Sequence, residues 1–121
     1  MEKGNLILIV EDEPFVALDL KYACEDEGMG AVTVGTCRQA MAMLDEHRFD
    51  GAILDVNLGP GETCDAIAKA LRESGIPFVL NTGDLECAGE FLRGIEAPIM
   101  AKPNSAADVV RRLLEHAEEG A

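Results

Sequence analysis

Polar residues that could support metal-dependent chemistry stand directly after four of the chain's apolar runs. The first run is followed by the carboxylates of Glu11 and Asp12, and the second by the carboxylate of Asp55 and the amide of Asn57. The third run is followed by the hydroxyl of Thr82, and the fourth by the ammonium of Lys102. Clustered carboxylates repel one another and raise each other's pKa unless a cation intervenes. Mg²⁺ suits such a cluster because it binds through one or two carboxylates together with phosphate oxygens.

Asp55 is the candidate nucleophile of this set. A carboxylate oxygen can attack phosphorus, as it does in enzymes that form an aspartyl phosphate. Phosphoryl transfer needs mainly positioning and charge neutralisation, which Mg²⁺ and Lys102 would supply, while Thr82 could donate a hydrogen bond to a further oxygen. Each residue alone has an ordinary explanation as a turn residue, a helix start or a solvated charge. Their joint placement is what favours a site.

Short apolar strands alternate with helix-length amphipathic segments and must position these residues. The strands are apolar throughout rather than alternating, which indicates burial on both faces and hence a parallel sheet covered by helices. The pattern predicts an α/β fold with an open, doubly wound (βα)₅ sheet, in which function gathers at the carboxyl ends of the strands. The predicted strands are Leu6–Val10, Ala31–Val34, Ala52–Leu54, Pro77–Leu80 and Pro98–Ala101.

Helix signals separate these strands. Pro14 can begin a helix, Thr36 to Gln39 reads as a capping box, and Ser105 can cap a last helix. The segment from Asp84 to Gly94 contains few apolar residues and two glycines, and Gly83 precedes it, so any fourth helix there should be short or mobile. Apolar residues at helical spacing are Phe15, Leu18 and Tyr22 in the first helix, Cys64, Ile67, Ala68 and Leu71 in the third, and Val109, Val110, Leu113, Leu114 and Ala117 in the last.

Four of these segments resemble the receiver domains of two-component response regulators. They are LILIVEDEP (6–14), AILDVNL (52–58), PFVLNTGD (77–84) and IMAKP (99–103), and the intervals between the chemically useful residues agree as well. The resemblance spans essentially the whole chain and implies the flavodoxin-like strand order 2-1-3-4-5. It also implies a single receiver domain over residues 1–121 with no output domain.

The resemblance implies a role for each site residue. Asp55 would accept the phosphoryl group. Asp12 and Asp55 would bind Mg²⁺ directly, with the backbone carbonyl of Asn57 as a third ligand and Glu11 acting through water; Mn²⁺ is the alternative ion. In the same way Thr82 would be the switch hydroxyl and Lys102 the conserved-type ammonium, with a cis bond to the proline after it.

The resemblance also implies partners. A sensor histidine kinase would supply the phosphoryl group, and phosphorylation would change the binding of a downstream protein that the sequence does not identify. Such a switch catalyses only its own phosphorylation and dephosphorylation, so we do not expect a conventional enzyme. We expect a monomer or a weak dimer. A phosphate sink or shuttle in a phosphorelay is an alternative use of the same chemistry.

Two positions depart from the family's pattern. Ile99 stands where many receivers carry an aromatic residue whose rotation is coupled to the switch hydroxyl. Leu80–Gly83 reads LNTG, which is similar to the Phe-Ala-Thr-Gly signature of a mostly alphaproteobacterial subgroup that often stands alone. The absent aromatic keeps open a second hypothesis, in which the fold works through protein contacts without phosphorylation.

Composition narrows the remaining function classes. A formal net charge of −13 argues against binding to nucleic acid or anionic membranes and suits a cation or a basic partner. No apolar run approaches the roughly 20 residues of a membrane span. The four cysteines lack metal-site spacing and are expected to be free thiols in the cytoplasm.

Two enzymatic alternatives remain open on the same fold. A small phosphatase would need a second aspartate two residues after its nucleophile, where Asn57 stands instead. A flavodoxin-type flavin protein would need a serine- or threonine-rich loop after the first strand, and the acidic residues there would repel its phosphate.

Overall fold

The computed structural model describes residues 5–55, 65–83 and 97–119, which form five strands and four helices. The bounds of several strands differ from the predicted ones by one or two residues. In chain order the elements are β1 (Leu6–Val10), α1 (Pro14–Asp26), β2 (Gly30–Val34), α2 (Cys37–Glu46), β3 (Gly51–Leu54), α3 (Asp65–Glu73), β4 (Phe78–Thr82), β5 (Ile99–Ala101) and α4 (Ala106–Glu119).

The strands form one parallel sheet in the order β2-β1-β3-β4-β5, which confirms the predicted fold class. Val10 pairs with Leu54, and Leu54 pairs with Leu80, so three strands reach their carboxyl ends at nearly the same level. The residues that follow these strands therefore meet at one edge of the sheet.

Two apolar clusters cover the two faces of the sheet. Leu8 and Val10 point to one cluster, which includes residues of α2 and α3, while Ile7 and Ile9 point to the other, which includes residues of α1 and α4. This alternation follows from the two-residue period of a strand. Because both faces are buried, the central strands must be apolar at every position, which is the pattern that predicted a parallel sheet.

The helices begin where the capping signals predict. The Thr36 side chain accepts a hydrogen bond from the backbone N–H of Gln39 at 3.1 Å, and the Gln39 side chain accepts one from the N–H of Gly35 at 2.9 Å. These contacts satisfy N–H groups at the start of α2 that have no partner within the helix. Gly75, with a φ of 71°, ends α3 in the left-handed region that favours glycine.

The apolar stripe in α1 faces solvent rather than the core. Phe15 is 84% exposed, Tyr22 55% and Leu18 41%. The opposite side of the helix packs against the sheet and α4 through smaller or differently placed side chains: Ala17, Leu20, Ala23 and Cys24. Helical spacing predicted the helix correctly, but it did not determine which apolar side was buried.

Strand β4 continues beyond its predicted end at Leu80 to Thr82. Asn81 pairs with Met100 and Thr82 with Ala101, so the backbone ladder carries two polar side chains into the buried end of the strand. Hydropathy alone ended this strand too early. Asn57, Cys64 and the segment from 84 to 94 lie outside the described residues.

The other helix predictions agree with the observed burial. Ile67, Ala68 and Leu71 of α3 are fully buried, as are Val109 and Leu113 of α4. No helix in the described ranges is long and apolar enough to cross a membrane.

Leu54 tests the link between the core and the site because it is fully buried immediately before Asp55. Replacing it with alanine leaves a cavity, so we expect Leu54→Ala to lower the free energy of unfolding by about 2–5 kcal/mol in urea denaturation. Leu18→Ala on the exposed side of α1 is the control and should change it by less than about 0.5 kcal/mol. Similar losses for the two variants would contradict the assigned core.

Candidate functional site

Backbone hydrogen bonds at the carboxyl edge fix the positions of three predicted site residues. The N–H of Asp55 donates to the carbonyl of Val10 at 3.0 Å, and the N–H of Glu11 donates to the carbonyl of Val34 at 2.9 Å. The N–H of Lys102 donates to the carbonyl of Thr82 at 2.9 Å. Each residue is thus held as a continuation of the sheet ladder.

Three carboxylates meet at this edge. Glu11, Asp12 and Asp55 each offer an oxygen, and these oxygens all lie within 4.8 Å of one another. Glu11 is 4% exposed and Asp55 is 7% exposed, whereas Asp12 is open to solvent. The cluster therefore combines two buried carboxyl groups with one that remains accessible.

Lys102 supplies the positive charge that faces this cluster. Its Nζ lies 3.1 Å from Oδ2 of Asp55 and also contacts Oε1 of Glu11 as an ion pair. The bridge joins residues from the first, third and fifth strand ends. One ammonium against three carboxylates leaves an excess of negative charge among these four side chains.

Burial of Glu11 changes the pKa of its carboxyl group. Desolvation raises the pKa of the Glu11 carboxyl to about 7, with a further rise from Asp55, while the hydrogen bond from Lys102 opposes the change. Burial disfavours the charged form of an acid, and a like charge nearby adds to that effect. The ammonium alone therefore does not compensate fully for taking this carboxylate out of water.

The ammonium of Lys102 responds in the opposite way. Burial by itself would lower the pKa of Lys102, but the hydrogen bonds and negative charges of Glu11 and Asp55 outweigh burial, so the pKa lies above its ordinary value. Lys102 therefore stays positively charged throughout the physiological range.

One oxygen of the cluster indicates a place for a cation. Oε2 of Glu11 is buried, and the described part of the chain offers it no hydrogen-bond partner. An unsatisfied buried carboxylate oxygen is costly unless a cation or an ordered water contacts it. With three carboxylate oxygens already close together, this donor set fits a hard divalent cation that prefers oxygen ligands.

The remaining predicted residues are placed as follows. Thr82 is fully buried at the end of β4, between the strands that lead to Asp55 and Lys102. The bond from Lys102 to Pro103 is cis, as the resemblance implied. Asn57 lies outside the described residues, so its part in metal binding stays a prediction.

Two contacts were not anticipated from the sequence. The sequence does not predict the direct ion pair of Lys102 with Glu11; the resemblance implies only that Glu11 would bind Mg²⁺ through water. A hydrogen bond between Asn104 and Asn81 was missed as well. The sequence shows only that one asparagine lies near the end of β4 and another follows β5. Linear spacing does not show that their side chains meet.

A sequence profile for the response regulator receiver domain matches residues 7–114. The phyllosphere-induced regulator PhyR of Methylorubrum extorquens is 34% identical over 110 residues, covering 85% of this chain and 40% of that protein. The alginate biosynthesis transcriptional regulatory protein AlgB of Pseudomonas aeruginosa is 37% identical over 68 residues, covering 56% of this chain and 15% of that protein. The chain thus spans less than half the length of these relatives.

A solved structure agrees with the fold over nearly the whole chain. The CheY-like receiver domain protein from Methanospirillum hungatei superposes with a TM-score of 0.83 at 24% identity, covering 98% of this chain and 97% of that one. At that level of identity the superposition supports the architecture alone.

The raised pKa of Glu11 predicts a pH dependence of stability in the absence of divalent cations. Because its pKa of about 7 in the folded protein exceeds its ordinary value of 4.5, the contribution of Glu11 to stability is fully present below pH 4.5 and is lost as the pH rises through 7. In wild type the free energy of unfolding should therefore fall between pH 5 and 8. In Glu11→Gln that fall should be smaller by on the order of 2 kcal/mol, as measured by urea denaturation with a chelator present. Glu25→Gln, on the exposed surface of α1, should leave the profile unchanged; superimposable profiles for both variants would contradict this account.

Proposed function

The chain belongs to the family of response regulator receiver domains, and from that premise we propose that it accepts a phosphoryl group from a sensor histidine kinase on Asp55 in a Mg²⁺-dependent reaction. Receiver domains act in phosphorylation-dependent two-component signalling. The observation that supports Asp55 here is its position at the carboxyl edge of the sheet, in contact with Lys102 and beside two further carboxylates.

The reaction needs little beyond correct placement of these groups. A carboxylate oxygen of Asp55 attacks phosphorus, and the bond from phosphorus to the kinase's imidazole nitrogen breaks. The imidazole keeps that electron pair and leaves as a neutral ring, since its other nitrogen carries the proton. Asp55 becomes an acyl phosphate. Lys102 neutralises charge on a phosphoryl oxygen, which is the kind of stabilisation that dominates phosphoryl transfer.

Residues of the cluster would hold the metal ion. Asp12 and Asp55 would bind it directly, with the backbone carbonyl of Asn57 as a third ligand and Glu11 contributing through water. Mn²⁺ has the same preference for oxygen ligands and could replace Mg²⁺. When bound, the ion supplies positive charge that permits a phosphate to approach the carboxylates. The orphaned oxygen of Glu11 supports this assignment.

Thr82 would convert phosphorylation into a change of surface. Its buried hydroxyl lies on the strand next to Asp55, where it could donate a hydrogen bond to a phosphoryl oxygen. Drawing the end of β4 toward the phosphoryl group would change the face that the domain offers to a partner protein. The net charge of −13 suits a partner with a basic surface.

The family and the buried cysteine support a cytoplasmic receiver unit. Residues 1–121 would act as one receiver unit that catalyses only its own phosphorylation and dephosphorylation. Cys24 is a buried free thiol, which suits the reducing cytoplasm where a kinase would have access to ATP.

A second candidate function is a receiver fold that binds partners without phosphorylation. It is favoured by Ile99, which occupies the position of the usual aromatic and is 37% exposed on β5. The two functions differ in whether the protein takes up a phosphoryl group at all, and the following experiment separates them.

Asp55→Asn tests the phosphoacceptor directly. We expect wild type to be labelled by phosphoramidate or a cognate kinase with Mg²⁺, and Asp55→Asn to remain unlabelled while keeping its fold, because an amide cannot act as the nucleophile. Intact-protein mass spectrometry gives the label and circular dichroism gives the fold. Asp19→Asn on the exposed surface of α1 is the control. Equal labelling of Asp55→Asn and wild type would refute the assignment, and an unlabelled wild type would favour the second function.

Mg²⁺ should stabilise the folded protein through the same cluster. At a hundredfold excess over its dissociation constant, a ligand of the folded state adds about 2.7 kcal/mol to the unfolding free energy. We expect Asp12→Asn to lose most of this gain, as measured by urea denaturation with and without Mg²⁺. Glu13→Gln, an exposed neighbour outside the cluster, should retain it. An undiminished gain in Asp12→Asn would remove Asp12 from the metal site.

A further inference from the structure

Asn104 and Asn81 form a polar tether beside the site. Nδ2 of Asn104 donates one hydrogen bond to Oδ1 of Asn81 and another to the backbone carbonyl of Ala101, both at 2.8 Å. Asn104 lies on the surface, but Asn81 is only 3% exposed. A hydrogen bond to a buried polar group is expensive to lose, because the group cannot recover its partner from water.

The chemistry of the two amides fixes their orientation. An asparagine NH₂ group has two hydrogens, and both hydrogens of Asn104 have a carbonyl oxygen as acceptor. The flipped amide would direct its oxygen at the carbonyl oxygen of Ala101, which is repulsive. Asn81 must then present its own oxygen to the tether.

The tether encloses Lys102. Ala101 and Asn104 lie on either side of the Lys102–Pro103 pair, so the contact from Asn104 to Ala101 closes a short turn with Lys102 inside it. The backbone N–H of Lys102 is bonded to Thr82, the residue after Asn81. The main chain around Lys102 is therefore attached to the end of β4 at two consecutive residues.

The tether acts from the side of the sheet away from the switch hydroxyl. Successive side chains of a strand point to opposite faces. Val79 belongs to the cluster beneath α1 and α4, and Leu80 to the cluster beneath α2 and α3, so Asn81 and Thr82 continue this alternation. Asn104 contacts Asn81 and the carbonyl of Ala101, so it affects the site through the backbone that carries Lys102.

We propose that Asn104 is a positioning residue, anchored by Asn81, that holds Lys102 where its ammonium bridges Glu11 and Asp55. The inference rests on the proposed phosphorylation of Asp55 and adds a determinant of its rate. A lysine side chain has many rotamers, so its ammonium is placed accurately only if the backbone beneath it is fixed. Errors of about 1 Å in a catalytic group can cost on the order of a hundredfold in rate.

The first test measures the rate and metal affinity separately. With phosphoramidate at saturating Mg²⁺, we expect Asn104→Ala to be phosphorylated about tenfold more slowly than wild type. The affinity for Mg²⁺ should not fall, because Glu11, Asp12 and Asp55 are untouched and a displaced ammonium leaves more negative charge on the cluster. The Asn81→Ala/Asn104→Ala double variant should be no slower than the slower single variant, since the two residues act as one unit. Asn104→Gln, which displaces the amide by one methylene, should also be slowed.

Ser105→Ala is the matched control for a purely structural effect. Ser105 precedes α4 and follows Asn104 directly, and its side-chain oxygen lies 3.4 Å from the backbone nitrogen of Asp108. We expect its phosphorylation rate to equal that of wild type even where urea denaturation shows lower stability. An equal loss of rate in Ser105→Ala, an unchanged rate in Asn104→Ala, or a parallel loss of Mg²⁺ affinity would each overturn the proposal.

Crystal structures of wild type and Asn104→Ala provide a test that does not depend on phosphorylation. We expect the distance from Lys102 Nζ to Asp55 Oδ2 to increase from 3.1 Å to beyond hydrogen-bond range in the variant. If phosphoramidate does not label the wild type, the proposed function is wrong. The distance from Lys102 to Asp55 in the two crystal structures would still decide whether Asn104 positions Lys102. An unmoved ammonium in the variant would overturn that role.

Discussion

The ion pairs of Lys102 with two buried carboxylates are the interaction on which the rest of the site depends. Glu11 and Asp55 come from different strand ends, and their negative charges can be buried side by side only if positive charge stands between them. Lys102 supplies part of that charge from a third strand. The remaining excess, expressed in the raised pKa of Glu11 and its orphaned oxygen, is what makes the edge a site for a divalent cation.

The fold explains how residues so distant in the chain come together. Parallel strands buried on both faces must be apolar throughout, and they end where polar residues can reach solvent. The paired register of β1, β3 and β4 brings those ends to one level, so each strand delivers its next residue to the same edge. The sheet therefore brings the carboxylates close together, and their negative charge favours binding of a divalent cation.

Strand-like hydropathy and the order of polar residues were sufficient to predict the sheet and the convergence of Asp12, Asp55, Thr82 and Lys102 at its edge. The buried side of α1 was not predictable in the same way, because Phe15 and Tyr22 have the spacing of a core stripe but lie on the outer surface. Side-chain pairings such as Lys102 with Glu11 were missed as well, since they depend on three-dimensional register that linear spacing does not contain.

Anomalous diffraction from crystals soaked in Mn²⁺ would test the central claim most directly, because it locates a divalent ion without relying on activity. The account predicts one strong peak within about 2–2.5 Å of carboxylate oxygens of Asp12 and Asp55, with Glu11 adjacent and Lys102 still contacting the cluster. A peak elsewhere, or no peak at this edge under conditions that saturate the protein in solution, would contradict it.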